Sequence, residues 1–271
     1  MLYFVATPIG NLKDISYRAI EVLNSVDIIA CEDTRNSLKL LNHYNINKQL
    51  IAYHKFNEEN SSNGIIEMLK EGKNIAVISD SGMPLISDPG QTLVEKLVKQ
   101  NLEYTIVPGA SASLSALILS GLDSSRFSFV GFLPEKNKER QELISNIRLL
   151  KNTLIFYISP HSLFNDIDYL YNELGGRKAC LVNEITKLYE KTIHFNLGDD
   201  LEIEPKGEYV LVVEGCNEKN LELNNLTVKE HIEFYINLGD SEKEAIKKVA
   251  KDRKVNKNDI YQQHISTKRG N

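Results

Sequence analysis

The sequence predicts a two-domain α/β protein with a small helical extension, and three observations carry that expectation. Short β-branched runs alternate with amphipathic patterns as far as residue 215, eight such runs are too many for one simple doubly wound unit, and past residue 220 the pattern is helical only. The expected strands are Leu2–Ala6, Asp27–Ala30, Ile75–Ser79, Tyr104–Val107, Ser128–Phe132, Leu154–Ile158, Ala179–Asn183 and Tyr209–Glu214. Such alternation argues for largely parallel sheets, because parallel neighbours need a crossover helix. Helices are read over Ser16–Ser25, Ile65–Glu71 and Thr92–Gln100 from apolar residues three and four apart. The polar stretch Ser120-Gly121-Leu122-Asp123-Ser124-Ser125 is the best candidate hinge and divides residues 1–120 from 121–220. The extension, 221–271, holds helices over Thr227–Leu238, Ser241–Arg253 and Lys257–His264; Asp240 or Ser241 can cap the second, with Glu244 placed to complete a capping box. Three short helices with a tight turn resemble a helix-turn-helix module, and a helical cap packed on the body is the plainer alternative.

Among the 271 residues, 32 Lys and Arg face 37 Asp and Glu, and a net charge of −5 on its own argues against a polyanion partner. The charge is unevenly spread, however. Residues 227–271 hold ten basic and seven acidic side chains, which leaves −8 on the rest. A second local surplus is formed by Lys136, Lys138, Arg140, Arg148 and Lys151. Any contact with a polyanion is therefore expected through local patches (Arg35; Lys136, Lys138, Arg140; Lys247, Lys248, Lys251) with a shallow salt dependence. Three scattered cysteines, Cys31, Cys180 and Cys216, write neither a disulfide framework nor a zinc ribbon, and no His/Cys/Asp cluster has metal-ligand spacing. The first ten residues lack a signal peptide's apolar stretch and no segment approaches a membrane span, so a cytoplasmic protein with no membrane partner is expected.

Four turns follow predicted strands, where open α/β sheets place their ligands. The first, Ala6-Thr7-Pro8-Ile9-Gly10-Asn11, combines a fixed and a free φ. No G-x-G-x-x-G follows strand one and no phosphate-binding loop motif occurs, so a nucleotide-like cofactor would be bound in another way. The second, Ser79 to Gly90, contains Asp80 at a strand end in an irregular turn, which favours a ligand-facing role. Asp88 has a structural explanation, as N-cap with Pro89 at the first helical position and Gln91 at the third. The third, Val107 to Ser113, presents small residues and free amides at a helix start. Ser111 there lacks the second glycine of a nucleophile elbow and any nominated base, which ranks a hydrolase low. In the fourth, Val182 to Glu190, Glu184 and Lys187 stand three apart and can meet if the segment is helical. Cys31-Glu32-Asp33-Thr34-Arg35, with His54, Asn57 and Glu58 downstream, adds a further polar group at a strand end. Several such groups at successive strand ends imply a common cleft.

The segments TPIGNLKDIS, ACEDTRNS, YHKFNE, SDSGMPLISDPG, VPGASAS, FVGFLPEK, LIFYISPH, NEITKLYEK and KGEYVLVVEG occur in the order and spacing of the ribosomal RNA small-subunit methyltransferase I family, which the chain resembles from residue 1 to about 215 and into the C-terminal helices. The resemblance implies the two-domain tetrapyrrole-methylase-like fold of class III S-adenosylmethionine methyltransferases. It also implies S-adenosylmethionine-dependent methylation of the ribose 2′-hydroxyl of a cytidine in the decoding region of 16S ribosomal RNA, a small-subunit partner, and a homodimer. Carried over residue by residue, it puts the cofactor against Pro8, Ser79, Asp80, Met83, Ser111, Ala112 and Ile158, with Asn183 and Gly207 as further candidates. The chain departs from the family where it has Met83 in place of Thr, Ile158 in place of Glu and Ser162 in place of Arg.

A sulfonium methyl is already an activated electrophile, so the protein's tasks would be in-line positioning and help in removing the hydroxyl proton, with no metal required in principle. Asp33, His54, Glu58, Glu184 and Lys187 are the candidates for base or orienting partner. Of these, Glu184 and Lys187 are expected to orient the ribose, and Asp33 with Arg35 to meet RNA. Two alternatives stand beside this reading: a tetrapyrrole C-methyltransferase, and a non-catalytic ribosome-binding factor that kept the fold.

Overall fold

The computed structural model describes residues 1–54, 57–216, 226–253 and 255–269. Lys55 and Phe56 of the YHKFNE segment, Lys254 and the boundary expected at 220/221 lie outside the described residues. In the first half, β1 (Leu2–Val5), β2 (Ile28–Cys31), β3 (Gln49–Ala52), β4 (Ile75–Ile78) and β5 (Tyr104–Val107) form an all-parallel sheet in the order β3-β2-β4-β1-β5. Strands β2 and β4 are buried throughout and read as continuous apolar runs because helices cover both faces. On one face α1 (Tyr17–Ser25) and α2 (Thr34–His43) pack Leu23 and Leu41 against Ile29, Ile78 and Val107. On the other, α3 (Glu58–Lys70) and α4 (Gln91–Lys99) pack Ile65, Ile66, Leu93 and Leu97 against Leu2, Phe4 and Val77. From β1 the chain crosses to β2 on one side, and from β4 to β5 on the other. The turns after these adjacent strands therefore diverge and leave a crevice between them.

Helix α5 (Ala112–Ser120) carries the chain across. Its Ala116 and Leu117 pack on Ile155, Cys180, Val182 and Val212 of the second sheet, so sheet membership changes between β5 and β6 while α5 lies on the second half. That sheet contains β6 (Phe127–Phe132), β7 (Thr153–Ile158), β8 (Lys178–Asn183), β9 (Lys191–Asn196) and β10 (Tyr209–Val213) in the order β6-β7-β10-β8-β9. Only β6 and β7 run parallel; the other three pairings are antiparallel. The expectation of largely parallel sheets fails here because β8 and β9 form a hairpin and β10 inserts between β7 and β8. Helices α6 (Asn137–Ile147) and α7 (Leu163–Leu174) cover the face away from α5.

A bulge interrupts β6: Phe129 stands opposite Ile155, Gly131 opposite Phe156 and Phe132 opposite Tyr157, so Val130 is the extra residue. Gly131 has φ +75°, a conformation other residues adopt at a cost. Phe129 and Phe132 would face opposite ways under plain alternation if the register ran unbroken, yet both rings pack edge-on to Tyr157.

The extension comprises α8 (Val228–Asn237), α9 (Glu242–Asp252) and α10 (Lys257–Arg269), with Ile232, Phe234, Val249 and Ile260 packed together with Cys216 and Leu149 of the body. Ser241, not Asp240, caps α9 in a complete capping box with Glu244, while Asp240 pairs with Lys248 at 2.6 Å. Arg177 is fully buried and donates to the carbonyls of Leu174, Glu214 and Arg148, which ties the ends of three segments together. No helix among the described residues is long and apolar enough to cross a membrane.

Candidate active site between the two sheets

The crevice between the β1 and β4 turns is built by backbone pairing. Thr7 N–H donates to Gly82 O at 2.9 Å and Gly82 N–H to Thr7 O at 3.2 Å, while the buried Ser79 Oγ donates to Gly82 O at 3.0 Å. From the second half comes the turn after β8, in which Glu184 (φ +53°) and Thr186 (φ +65°) take left-handed conformations. Asn11 N–H donates to Thr186 Oγ1 at 3.0 Å, and a Cβ on Gly10 would stand 2.7 Å from Ile185 O. The two halves thus touch at the rim and enclose a cleft of about 290 Å³, close to the lower end of the range for small-molecule sites.

The walls divide by chemistry. Ile9, Met83, Ala112, Phe132, Tyr157 and Ile158 make the apolar part, and among the described residues Glu32, Asp80, Asp88, Glu184 and Glu208 set five carboxyl groups against the single ammonium of Lys187. Lys187 Nζ pairs with Glu184 Oε1 at 2.9 Å. Burial is the main cause that pushes the Asp88 carboxyl up to about 6, with Glu32, Asp80 and Glu208 adding repulsion. Burial, then Asp80, raises Glu32 as well.

The expected capping role of Asp88 is not observed. Helix α4 begins at Gln91, its N-cap is Gly90 at φ +142°, and no side chain of the cap residue closes it. Glu58 Oε1 accepts from Gly90 N–H at 3.0 Å and Thr92 N–H at 3.1 Å, so a residue distant in sequence caps the helix and Asp88 is left facing the cleft.

Of the residues expected to meet cofactor or substrate, Asp80, Met83, Ser111, Ala112, Ile158, Glu184 and Lys187 line the cleft. Pro8, Ser79, Asn183 and Gly207 do not line it. Pro8 is buried within the first turn. Asn183 Nδ2 donates to the carbonyls of Lys206 and Glu208 at 3.0 Å each. A Cβ on Gly207 (φ +73°) would fall 2.2 Å from Glu184 Oε1, so glycine here makes room for that carboxylate.

Three proposed catalytic side chains are placed elsewhere. Asp33 caps α2, accepting from Arg35 N–H at 2.8 Å, and pairs with the Arg35 guanidinium at 3.2 Å. Glu58 caps α4. His54 precedes α3, its N–H donating to Asn57 Oδ1 at 3.0 Å, and does not line the cleft. Among the basic candidates, Arg140 is corrected: it is mostly buried in a pair with Asp166 and stacks 4.0 Å from the Tyr169 ring centre, so it packs α6 onto α7 instead of offering a surface charge. Lys136 pairs with Glu139 at 2.9 Å and Lys248 with Asp240, while Lys138, Lys247 and Lys251 are exposed.

Sequence reasoning passed over Asp88, Glu208, Phe132 and Tyr157 as site residues and took Glu32 only as part of a polar group. Asp88 carried a local signal that pointed to capping, and Glu208 carried none. Among the described residues no group of three or more His, Cys, Asp and Glu side chains is arranged to hold a metal ion.

Residues 1–199 match the family model of the tetrapyrrole (corrin/porphyrin) methylases. The ribosomal RNA small subunit methyltransferase I of Halalkalibacterium halodurans is 45% identical over 268 residues, covering 96% of this chain and 93% of that protein. Its counterpart in Bacillus subtilis is 43% identical over 270 residues, covering 96% and 92%. Among solved structures, a diphthine synthase superposes with a TM-score of 0.64 at 16% identity, over 79% of this chain and 89% of its own, which is a likeness of fold.

Proposed function

We propose a reaction from one premise: this chain belongs to the ribosomal RNA small-subunit methyltransferase I family, a branch of the tetrapyrrole methylases. The reaction is transfer of a methyl group from S-adenosylmethionine to the ribose 2′-hydroxyl of a cytidine in the decoding region of 16S ribosomal RNA. The observation that best supports it in the molecule is the cleft between the two sheets, where, among the described residues, five carboxyl groups against one lysine complement a cation. S-adenosylmethionine supplies a methyl group already activated on a positively charged sulfonium. Asp80, Met83, Ser111, Ala112 and Ile158 are the residues that would hold it, in an apolar crevice with small side chains at the start of α5.

Asp88 is the group suited to take the hydroxyl proton. It faces the cleft and is ionised at neutral pH, yet it is a stronger base than an ordinary aspartate. The Glu184–Lys187 pair orients the ribose. An acidic cleft repels phosphates, so the RNA backbone is held outside it by exposed lysines such as Lys138, Lys247 and Lys251, and only the target nucleoside enters. Helix α5 has a second apolar face, with Leu114, Ile118 (77% exposed) and Leu119 turned away from the sheet it packs on; a second copy of the chain covering it gives the homodimer. The cytoplasm, where small subunits reside, is the proposed place of work.

The test is transfer of labelled methyl to small subunits from cells lacking this gene, with uroporphyrinogen as the rival acceptor and calorimetric binding of S-adenosylmethionine alongside. Label at a cytidine 2′-oxygen is expected. Label on the tetrapyrrole instead, or no binding at all, overturns the reading.

A further inference from the structure

We infer that Phe132 and Tyr157 form a stacking platform for the nucleobase of the target nucleotide, extruded from its RNA stack. The inference rests on the RNA-methylating reading above and adds to it where the base goes. The extra residue in β6 rotates the strand so that Phe132 joins Phe129 and Tyr157 on the face toward the cleft, and re-aiming a side chain beside a site is a recognised use of a bulge. The result is a ring 55% exposed at a cleft otherwise rich in carboxylates. Its orientation is held by edge-on packing to Tyr157 at 5.5 Å, and Tyr157 is held in turn by Phe129 at 5.0 Å and by a hydrogen bond with Ser113.

Gly131 completes the arrangement. A Cβ there would stand 3.5 Å from Ser87 Oγ, an ordinary contact, so the loop that carries Asp88 lies beside the bulge, and the aromatic pair and Asp88 all line the cleft. A base buried in an RNA stack would keep its ribose away from a pocket of this size, and flipped bases are held by aromatic faces. Those faces are uncharged, so they accept a base where the surrounding carboxylates would reject a phosphate. The adenine of the cofactor is the rival occupant.

The experiment uses the full chain and a short RNA carrying pyrrolocytidine at the target position, with wild type, Phe132→Ala and Phe132→Trp compared. The expected result is that Phe132→Ala binds S-adenosylmethionine with unchanged Kd but leaves pyrrolocytidine emission at its free-RNA value. Its KM for small subunits rises about ten-fold or more, the scale of a lost base–aromatic stack. Phe132→Trp restores both emission change and KM. A raised cofactor Kd with normal emission assigns the platform to adenine and overturns the inference, as does a Phe132→Ala protein indistinguishable from wild type. A wild-type protein that methylates no small subunits fails the parent reading, which is a separate outcome from wild-type activity unaffected by the substitution.

Discussion

The carboxylate of Glu58 accepts the backbone N–H of Gly90 at 3.0 Å, so the first turn of α4 is capped from α3, 32 residues away in the chain. The same oxygen takes Thr92 N–H, and a negative group at a helix N-terminus is favoured by the helix dipole. Glu58→Ala should lower stability by about 1 kcal/mol, the scale of a lost cap, read from the urea midpoint. Turnover should fall too, since the cap anchors the loop that carries Asp88. Glu58→Gln, whose amide oxygen still accepts, should keep most of both; equal losses in the two variants would show that the cap is not what matters.

Asp88 gives the reaction a pH dependence of predictable sign. Its carboxyl is pushed up to about 6, so activity should rise with pH through that region and level off above it, and Asp88→Asn should abolish turnover without weakening cofactor binding. Stability moves the other way. The folded state binds this proton more tightly than the unfolded chain, so the stability the proton confers is present below about pH 4 and is lost as pH rises through 6. At pH 8 the Asn variant should therefore melt higher than wild type, and a lower melting temperature there would contradict the account.

Arg140 separates packing from RNA contact. Its pair with Asp166 is largely out of water, and removing one partner strands the other, so Arg140→Ala should cost about 3 kcal/mol in denaturant unfolding. RNA affinity and its salt slope should stay as in wild type. Lys251→Ala should do the reverse, leaving stability alone while reducing the slope by roughly one phosphate contact.

Gly10 tests the contact between the halves. Its backbone φ lies outside the left-handed region, so alanine brings no local strain, but a new Cβ would meet Ile185 O, Lys187 Cγ and Thr186 Oγ1 within 3 Å. Gly10→Ala should wedge the rim open and raise the S-adenosylmethionine Kd by about ten-fold, on the order of 1.4 kcal/mol. Each half keeps its own core, so the melting temperature should move little. Unchanged cofactor affinity would mean that the rim contact is incidental.

Much of this architecture is legible in the sequence because it rests on local patterns. The buried strands IIAC and IAVI and the three C-terminal helices announce themselves by period and composition, whereas the hinge read at 120–125 falls after α5, which already packs on the second sheet. Two of the four edge strands do not announce themselves. Gln49–Ala52 is half exposed where IIAC and IAVI, of the same length, are buried throughout, and Lys191–Asn196 carries polar side chains through a hairpin that no crossover pattern foretells. The candidate site was legible to the extent that it sits at strand ends, which is how Asp80, Ser111, Glu184 and Lys187 could be found. Asp88 was misjudged because Asp-Pro-Gly-Gln is a sound local capping signal, and what displaces it is a carboxylate from another helix. Pro8, Ser79, Asn183 and Gly207 show a related limit: position in a motif brings them near the cleft, and only packing decides which neighbours line it.

The extra residue in β6 makes strand length itself an instruction. Hold the same residues in unbroken register and Phe132 would stand opposite Ile158 with its ring toward the helices, so the cleft keeps its flat surface only while the bulge persists. Slippage of this edge strand by one step would thus remove the surface with no substitution at all.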